Sequence, residues 1–310
     1  MVLYVDDIMI TSKDRDKIMN VYNHLVNTFK EVTINESKVC SYLGMTFDFA
    51  TRRTVRVTMN AYVNDTLKEF GVESTSVTPA SEHLFEIRES PPLTKDNANL
   101  FHTWTAKLLY LSKRTRPDIL TAISFLTTRV LEPTEDDWAK LERVMKYLNG
   151  TKDMGITLDA SSDKPLELQA WIDASFAPHE DAKSHTGLII ALGNGPVFAS
   201  STKQKLVSKS STESELIGIS DSLSQVIWSR EFMISQGYEM SATKVHQDNQ
   251  STIMIKNGKG SSKKTRHVNI RYFWIKERVE TGEVDISYYT PWIWWWTSSQ
   301  SRYKGGCLGS

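Results

Sequence analysis

The 310-residue sequence has few cysteines, no long apolar run and no excess of either charge. Cys40 and Cys307 are too few and too far apart for a disulfide framework or a zinc site, so a reducing compartment is expected. Because no run of about 18 apolar residues and no signal peptide is found, we expect neither a membrane span nor secretion. The formal net charge is zero, so a surface that binds nucleic acid must be local.

The composition is that of a globular protein, with 40% apolar and 24% charged residues, and the length allows two or three domains. In the first half, apolar spacing predicts helices over 13–30, 60–71, 101–131 with a break at Pro117, and 133–150. Residues 39–49 are predicted as one strand, 54–59 as another and 72–100 as a connecting loop. Trp104, Trp138, Trp228 and Trp274 fall on helical faces and are predicted to lie in the core.

Near residue 152 the pattern changes to short alternating strands. They are predicted at 167–172, 186–192, 196–201, 243–247 and 283–289, with helices at 211–236, 249–257 and 267–281. This order resembles the ribonuclease H fold, a mixed α/β sheet with flanking helices. The fold class is therefore predicted as α/β, with an α+β amino-terminal part.

Three acids stand at chemically suggestive places in this second half. Asp173 closes one strand, Asp248 ends another, and Glu215 lies in the first turns of the long helix, with Glu213 as its competitor. Taken singly, each acid is more simply explained as a turn former or a helix cap. Taken together, they predict a site for two Mg²⁺ ions about 4 Å apart, with Mn²⁺ as the alternative, suited to phosphodiester hydrolysis.

A second group of acids lies near the start of the chain. Asp6 and Asp7 follow Tyr4 and Val5 between two apolar flanks, which predicts a hairpin with the acids at its tip. An adjacent carboxylate pair in an apolar run is costly to bury unless a divalent cation offsets the repulsion. This segment resembles the palm of reverse transcriptases.

Further stretches extend the resemblance in order along the chain: Tyr42–Met45, Leu108–Leu111, Thr115–Ile119, Tyr147–Thr151, Thr186–Gly187, Lys203–Glu215, Asp248–Ser251 and Lys264–Arg271. Together they resemble the end of the polyprotein of a copia-type LTR retrotransposon, where reverse transcriptase is followed by ribonuclease H. The resemblance implies a partial palm at 1–58, thumb and connection helices at 59–157, a ribonuclease H-like domain at 158–290 and a non-family tail at 291–310. It matches Asp173, Glu215 and Asp248 to the first three ribonuclease H acids, and Asp6 and Asp7 to the polymerase pair.

The sequence departs from the family pattern at both ends. The family's third polymerase acid and fingers region are not found upstream, so polymerase activity is not expected unless another reverse-transcriptase chain completes the site. After Pro291, the family's helix with the fourth ribonuclease H acid is replaced by Trp292–Thr297 and a Ser/Gly/Lys tail, which predicts weakened hydrolysis.

Basic residues are candidates for nucleic-acid contacts, although a solvated surface loop is the ordinary alternative. They are Lys203, Lys205, Lys209, Lys263, Lys264, Arg266, His267 and Arg271. His179 and His185 are predicted to be exposed loop residues.

The expected function is Mg²⁺-dependent hydrolysis of the RNA strand of an RNA–DNA hybrid, without a small-molecule cofactor. The alternative is a relic that binds nucleic acid without chemistry; an integrase-like nuclease fits less well. The expected location is cytoplasmic, in a virus-like particle by ancestry, with a nuclear location as the alternative.

Overall fold

The computed structural model describes residues 1–12, 14–29, 31–160, 166–248 and 266–288. The chain begins with an antiparallel hairpin of β1 (Val2–Tyr4) and β2 (Asp7–Met9), followed by α1 (Arg15–Phe29). No residue of α1 is fully buried, and the whole of β1 is exposed. This first unit therefore contributes no fully buried residue to a core.

A four-stranded antiparallel sheet follows, formed by β3 (Val39–Tyr42), β4 (Met45–Asp48), β5 (Thr54–Thr58) and β6 (Ile156–Asp159). The prediction of one strand over 39–49 is wrong. Leu43 and Gly44 take φ values of 52° and 75°, in the left-handed region, and reverse the chain between β3 and β4. β6 was not predicted from the sequence. It spans the predicted domain boundary between residues 157 and 158. The domain division itself stays a prediction.

The helical region contains α2 (Asn60–Phe70), α3 (Lys95–Ser112), a 3₁₀ turn (Pro117–Ile119), α4 (Leu120–Thr127) and α5 (Glu135–Gly150). α3 begins at Lys95 rather than at 101, because Thr94 caps the helix and its side chain accepts from the amide of Asn97. Thr134 and Asp137 form a reciprocal capping box at the start of α5. These helices enclose a core that includes Phe101, Leu108, Leu111, Ile123, Leu126, Leu141 and Leu148.

A mixed sheet, called the second sheet below, is formed by five described strands: β7 (Leu168–Ser175), β8 (His185–Leu192), β9 (Gly195–Lys203), β10 (Thr243–Gln247) and β11 (Val284–Tyr288). Their spatial order is β11-β10-β7-β8-β9. The first three sequential strands pair antiparallel, whereas β10 lies parallel to both β7 and β11. This arrangement confirms the predicted ribonuclease H-like α/β fold.

Two helices cover this sheet. α6 (Ser211–Ser235) packs against β7 and β8, and α7 (Arg266–Glu280) packs against α6 and β11. Their common core includes Ile172, Ile190, Leu223, Val245 and Ile275. The helix predicted at 249–257 lies outside the described residues.

The tryptophan prediction is only partly correct. Trp104 is buried, and Trp138 and Trp274 pack against the two cores, but Trp228 is 61% exposed. Trp228 stacks on Phe232, one turn later on the outer side of α6, at a centroid distance of 5.5 Å. None of the described helices is long and apolar enough to cross a membrane.

Candidate metal centre

Three carboxylates from distant parts of the sequence meet at one end of the second sheet. Asp173 lies in β7, Glu215 on α6, and Asp248 directly after β10. One carboxylate oxygen from each lies within 4.8 Å of the other two. We call Asp173, Glu215 and Asp248 the acid cluster.

The parallel pairing of β7 and β10 explains why Asp173 and Asp248 lie close together. Val245 is in register with Ala170, and His246 with Trp171, so the two strands run towards the same edge of the sheet. The acids near their ends are thereby brought together, as expected for neighbouring parallel strands.

Close packing of α6 explains the rest. A side chain at Gly218 would bring a Cβ to 3.3 Å from Thr186 and 3.4 Å from Ala174, which is tight. The absence of that side chain lets α6 approach the sheet closely. Glu215, three positions earlier on the same helix, is therefore held beside the strand that carries Asp173.

The acid cluster has the donor set of a divalent-cation site. Glu215 is only 3% exposed, while Asp173 and Asp248 are half-buried. Three carboxylates so close together repel one another, and a bound cation with oxygen ligands offsets that repulsion. Carboxylate oxygens are hard ligands, so the acid cluster suits a divalent cation that prefers oxygen.

Gln247, which sequence analysis missed, contacts the acid cluster directly. Its side-chain Nε2 donates to Glu215 Oε2 at 2.7 Å, and its Oε1 accepts from the backbone amide of Asp248 at 3.1 Å. The residue is completely buried. The alternation of β10 is the sequence signal that could have identified this residue. Gln247 falls on the same face as Thr243 and Val245, which is buried, so an apolar residue is expected there.

Glu213, the competitor for the helix position, has a different role. Ser210 caps α6 by accepting from the amide of Glu213 at 3.2 Å. Glu213 Oε2 in turn accepts from the amide of Lys209 at 2.8 Å. The geometry thus groups Glu215 with the two aspartates and places Glu213 in the cap of the helix.

Asp6 and Asp7 are both exposed at the tip of the first hairpin. The apolar residues on one flank are exposed, from 58% at Val2 to 78% at Val5, and those on the other flank, Ile8, Met9 and Ile10, are partly buried, so the acids themselves are not enclosed by an apolar run. Across the described residues, the acid cluster is the only group of three or more potential metal ligands. In that part of the chain the hairpin acids therefore have no third ligand.

The predicted basic residues differ in their surroundings. Lys205 and Lys209 are exposed just before α6. Lys203 forms an ion pair with Asp181 at 2.9 Å, and this contact lowers the pKa of Asp181 to about 2. Arg271 forms an ion pair with Asp221. Arg266 and His267 begin the backbone of α7, and Lys263 and Lys264 lie outside the described residues.

The prediction that His179 and His185 are exposed is wrong. Both rings are buried; His179 Nε2 lies 3.0 Å from His185 Nδ1, and His185 Nε2 lies 2.7 Å from Ser201 Oγ. Phe85, from the connecting segment before α3, packs against both rings. The loop that carries His179 folds back onto the helical region, a long-range contact that local polarity could not reveal.

Burial also sets the charge of this histidine pair. It lowers the pKa of His179 to about 4 and that of His185 to about 3, from an ordinary value of 6.5, and Lys203 acts in the same direction. Both rings are therefore neutral at physiological pH, and one donates to the other.

Sequence comparison finds relatives of this chain among the Pol polyproteins of transposons. No protein-family model matches it. It is 27% identical over 295 residues to the retrovirus-related Pol polyprotein from transposon TNT 1-94 of Nicotiana tabacum, covering 92% of this chain and 22% of that protein. It is 28% identical to the corresponding polyprotein from transposon RE2 of Arabidopsis thaliana, covering 92% and 19%. This chain is homologous to the Pol polyproteins of copia-type transposons. The predicted family resemblance is confirmed, and the chain spans about a fifth of the length of these Pol relatives.

Comparison with solved structures supports the fold of this Pol homologue. The foamy viral protease-reverse transcriptase, solved in complex with an RNA/DNA hybrid, superposes with a TM-score of 0.50 at 10% identity. The match covers 92% of this chain and 34% of that one. At this identity the likeness shows a shared fold.

Proposed function

We propose that this Pol homologue hydrolyses the RNA strand of RNA–DNA hybrids, using divalent cations held by the acid cluster. The observation that carries the proposal is the meeting of three carboxylate oxygens within 4.8 Å at one edge of a ribonuclease H-like sheet. Homology to retrovirus-related Pol polyproteins is consistent with a ribonuclease H-like region that acts on nucleic acid.

Each acid has a distinct part in the proposed site. Asp173 and Asp248 are half-buried and offer carboxylates where a nucleic-acid backbone can approach. Glu215 is buried and hydrogen-bonded, so it contributes a ligand with a fixed position. Bound Mg²⁺, or Mn²⁺ in its place, supplies the positive charge that makes a water more acidic and stabilises the leaving oxygen of the phosphodiester.

Exposed cations just before the helix that carries Glu215 support binding of a hybrid. Lys205 and Lys209 precede the amino terminus of α6, the helix that carries Glu215. Exposed lysines contribute salt-dependent contacts to phosphates. Lys203 and Arg271 are engaged by Asp181 and Asp221, so their contacts to a phosphate would require these ion pairs to open.

A strand-specific cleavage assay tests this proposal. The full chain is incubated with Mg²⁺ and a hybrid labelled on either the RNA or the DNA strand, beside Asp173→Asn and the control Asp285→Asn. Asp285 is a half-buried aspartate of the same sheet that lies outside the acid cluster. We expect RNA fragments alone, a loss of more than about 100-fold in Asp173→Asn, and cleavage retained in the control.

Two results would overturn the proposal. Equal cleavage by the wild type and Asp173→Asn would show that the activity does not depend on the acid cluster. Hybrid binding by the wild type with no Mg²⁺-dependent cleavage would favour the alternative of a relic that only binds nucleic acid.

A further inference from the structure

Gln247 lies between two members of the acid cluster and contacts both. Its Nε2 is 2.7 Å from Glu215 Oε2, and its Oε1 is 3.1 Å from the amide nitrogen of Asp248. Glu215 belongs to a helix and Asp248 follows a strand, so this one side chain links two separate elements of the site. The proposed hydrolysis does not itself require an amide side chain at position 247.

The hydrogen-bond partners determine which way the amide of Gln247 points. Glu215, when ionised, only accepts hydrogen bonds, whereas the backbone amide of Asp248 only donates. A reversed side chain would place two acceptors 2.7 Å apart at Glu215 and two donors together at Asp248. Both contacts are favourable only in the orientation described, so the amide is specific for this pair of partners.

The surroundings of Gln247 make both contacts important. The residue has no exposed surface and occupies a core-facing position of β10, beside the fully buried Val245. A buried polar group without a hydrogen bond is costly, and a bond to a charged acceptor is stronger than one between neutral groups. An apolar residue would fill the same volume, yet it would provide no donor for Glu215.

We infer that Gln247 is a positioning residue for the metal centre: it fixes the Glu215 carboxylate relative to Asp248 and thereby raises the affinity for Mg²⁺. This inference rests on the proposed function of the acid cluster. Hydrogen bonds that orient metal ligands typically contribute about 10- to 100-fold to metal affinity or activity. Loss of Gln247 should therefore weaken Mg²⁺ binding by about that factor.

The test compares Gln247→Met with Val245→Ala in the full chain. Methionine preserves the length and approximate volume of the side chain and removes both hydrogen bonds. Val245 lies on the same face of the same strand, two residues away, and its truncation disturbs the core without touching Glu215. The Mg²⁺ concentration that gives half of the maximal thermal stabilisation is measured for each, together with kcat and KM for the hybrid at saturating Mg²⁺.

We expect Gln247→Met to need about 10- to 100-fold more Mg²⁺ for half-maximal stabilisation, with KM for the hybrid unchanged. Val245→Ala should lower the melting temperature and leave the Mg²⁺ requirement as in the wild type. If Gln247→Met does not fold, Gln247→Asn decides in the same way, because it keeps a neutral amide but is one methylene shorter and no longer reaches Glu215.

The outcomes separate this inference from the function on which it rests. A wild type that cleaves and is stabilised by Mg²⁺, beside a Gln247→Met variant with the same Mg²⁺ requirement, would overturn the positioning role alone. A wild type without any response to Mg²⁺ would instead overturn the proposed metal centre.

Discussion

Two groups of acids in this sequence suggest cation sites, and they differ in structure. Asp6 and Asp7 are exposed at the tip of an exposed hairpin. Asp173, Glu215 and Asp248 come from three elements that pack on a common core and meet within 4.8 Å. Adjacency along the chain thus leaves Asp6 and Asp7 exposed, whereas the convergence of packed elements brings the other three carboxylates together.

The largest expected effect separates two glutamates on one helix. We expect Glu215→Gln to reduce Mg²⁺-dependent cleavage by more than about 100-fold, because it removes a charged member of the acid cluster. Glu213→Gln should leave cleavage nearly unchanged, since a glutamine oxygen can still accept from the amide of Lys209. Initial rates at saturating Mg²⁺ measure both. Equal losses would mean that the helix cap, rather than the acid cluster, governs activity.

The next prediction concerns the packing behind the two acid groups. Leu223→Ala truncates a completely buried side chain under the second sheet and should lower the free energy of unfolding by about 2–5 kcal/mol. Val2→Ala, in the exposed hairpin, should change it by less than about 0.5 kcal/mol. Urea titration followed by circular dichroism compares them. A large effect at Val2 would show that the hairpin is covered by other parts of the protein.

A third prediction follows from the buried histidine pair. The folded-state pKa values of His179 and His185, about 4 and about 3, lie below the ordinary 6.5, so the unfolded chain binds protons first as the pH falls. The stabilisation is complete above pH 6.5 and is lost as the pH falls through 6.5 towards the folded-state values.

Thermal unfolding between pH 7 and pH 4 measures this loss for the wild type and for the double variant His179→Gln, His185→Gln. The variant should be less stable at pH 7 and should show a shallower fall with acid. An equally steep fall would assign the acid sensitivity to other groups, such as paired carboxylates.

The smallest expected effect is at the hairpin acids. The double change Asp6→Asn, Asp7→Asn should leave Mg²⁺-dependent cleavage of a hybrid unchanged, because the two residues lie outside the acid cluster. A substantial loss of cleavage in this variant would contradict the contrast between the two acid groups.

Much of this architecture could be predicted from the sequence, because the spacing of apolar residues and the positions of proline and glycine are local signals. Pro117 marked the break after α3, and Gly71 ended α2 in the left-handed conformation. The order of elements and the three acids at strand ends and a helix start led to the correct sheet and to the residues that meet there.

Several of the errors depend on contacts distant in sequence, whereas the turn at Leu43 and Gly44 and the helix cap at Thr94 were local signals that were not recognised. β6 exists because β5 offers it an edge, and the histidine pair is buried because Phe85 and the neighbouring helices cover it. The role of Gln247 follows only from its hydrogen bond with Glu215, which lies 32 positions earlier in the sequence. Trp228 shows the opposite case, in which a large aromatic on a helix stays exposed.

The acid cluster is proposed to bind a divalent cation, and calorimetric titration of the full chain with Mg²⁺ measures this binding itself. We expect saturable binding by the wild type that is lost in Asp248→Asn and retained in the Asp6→Asn, Asp7→Asn variant. Binding that survives in Asp248→Asn and disappears in the hairpin variant would contradict it.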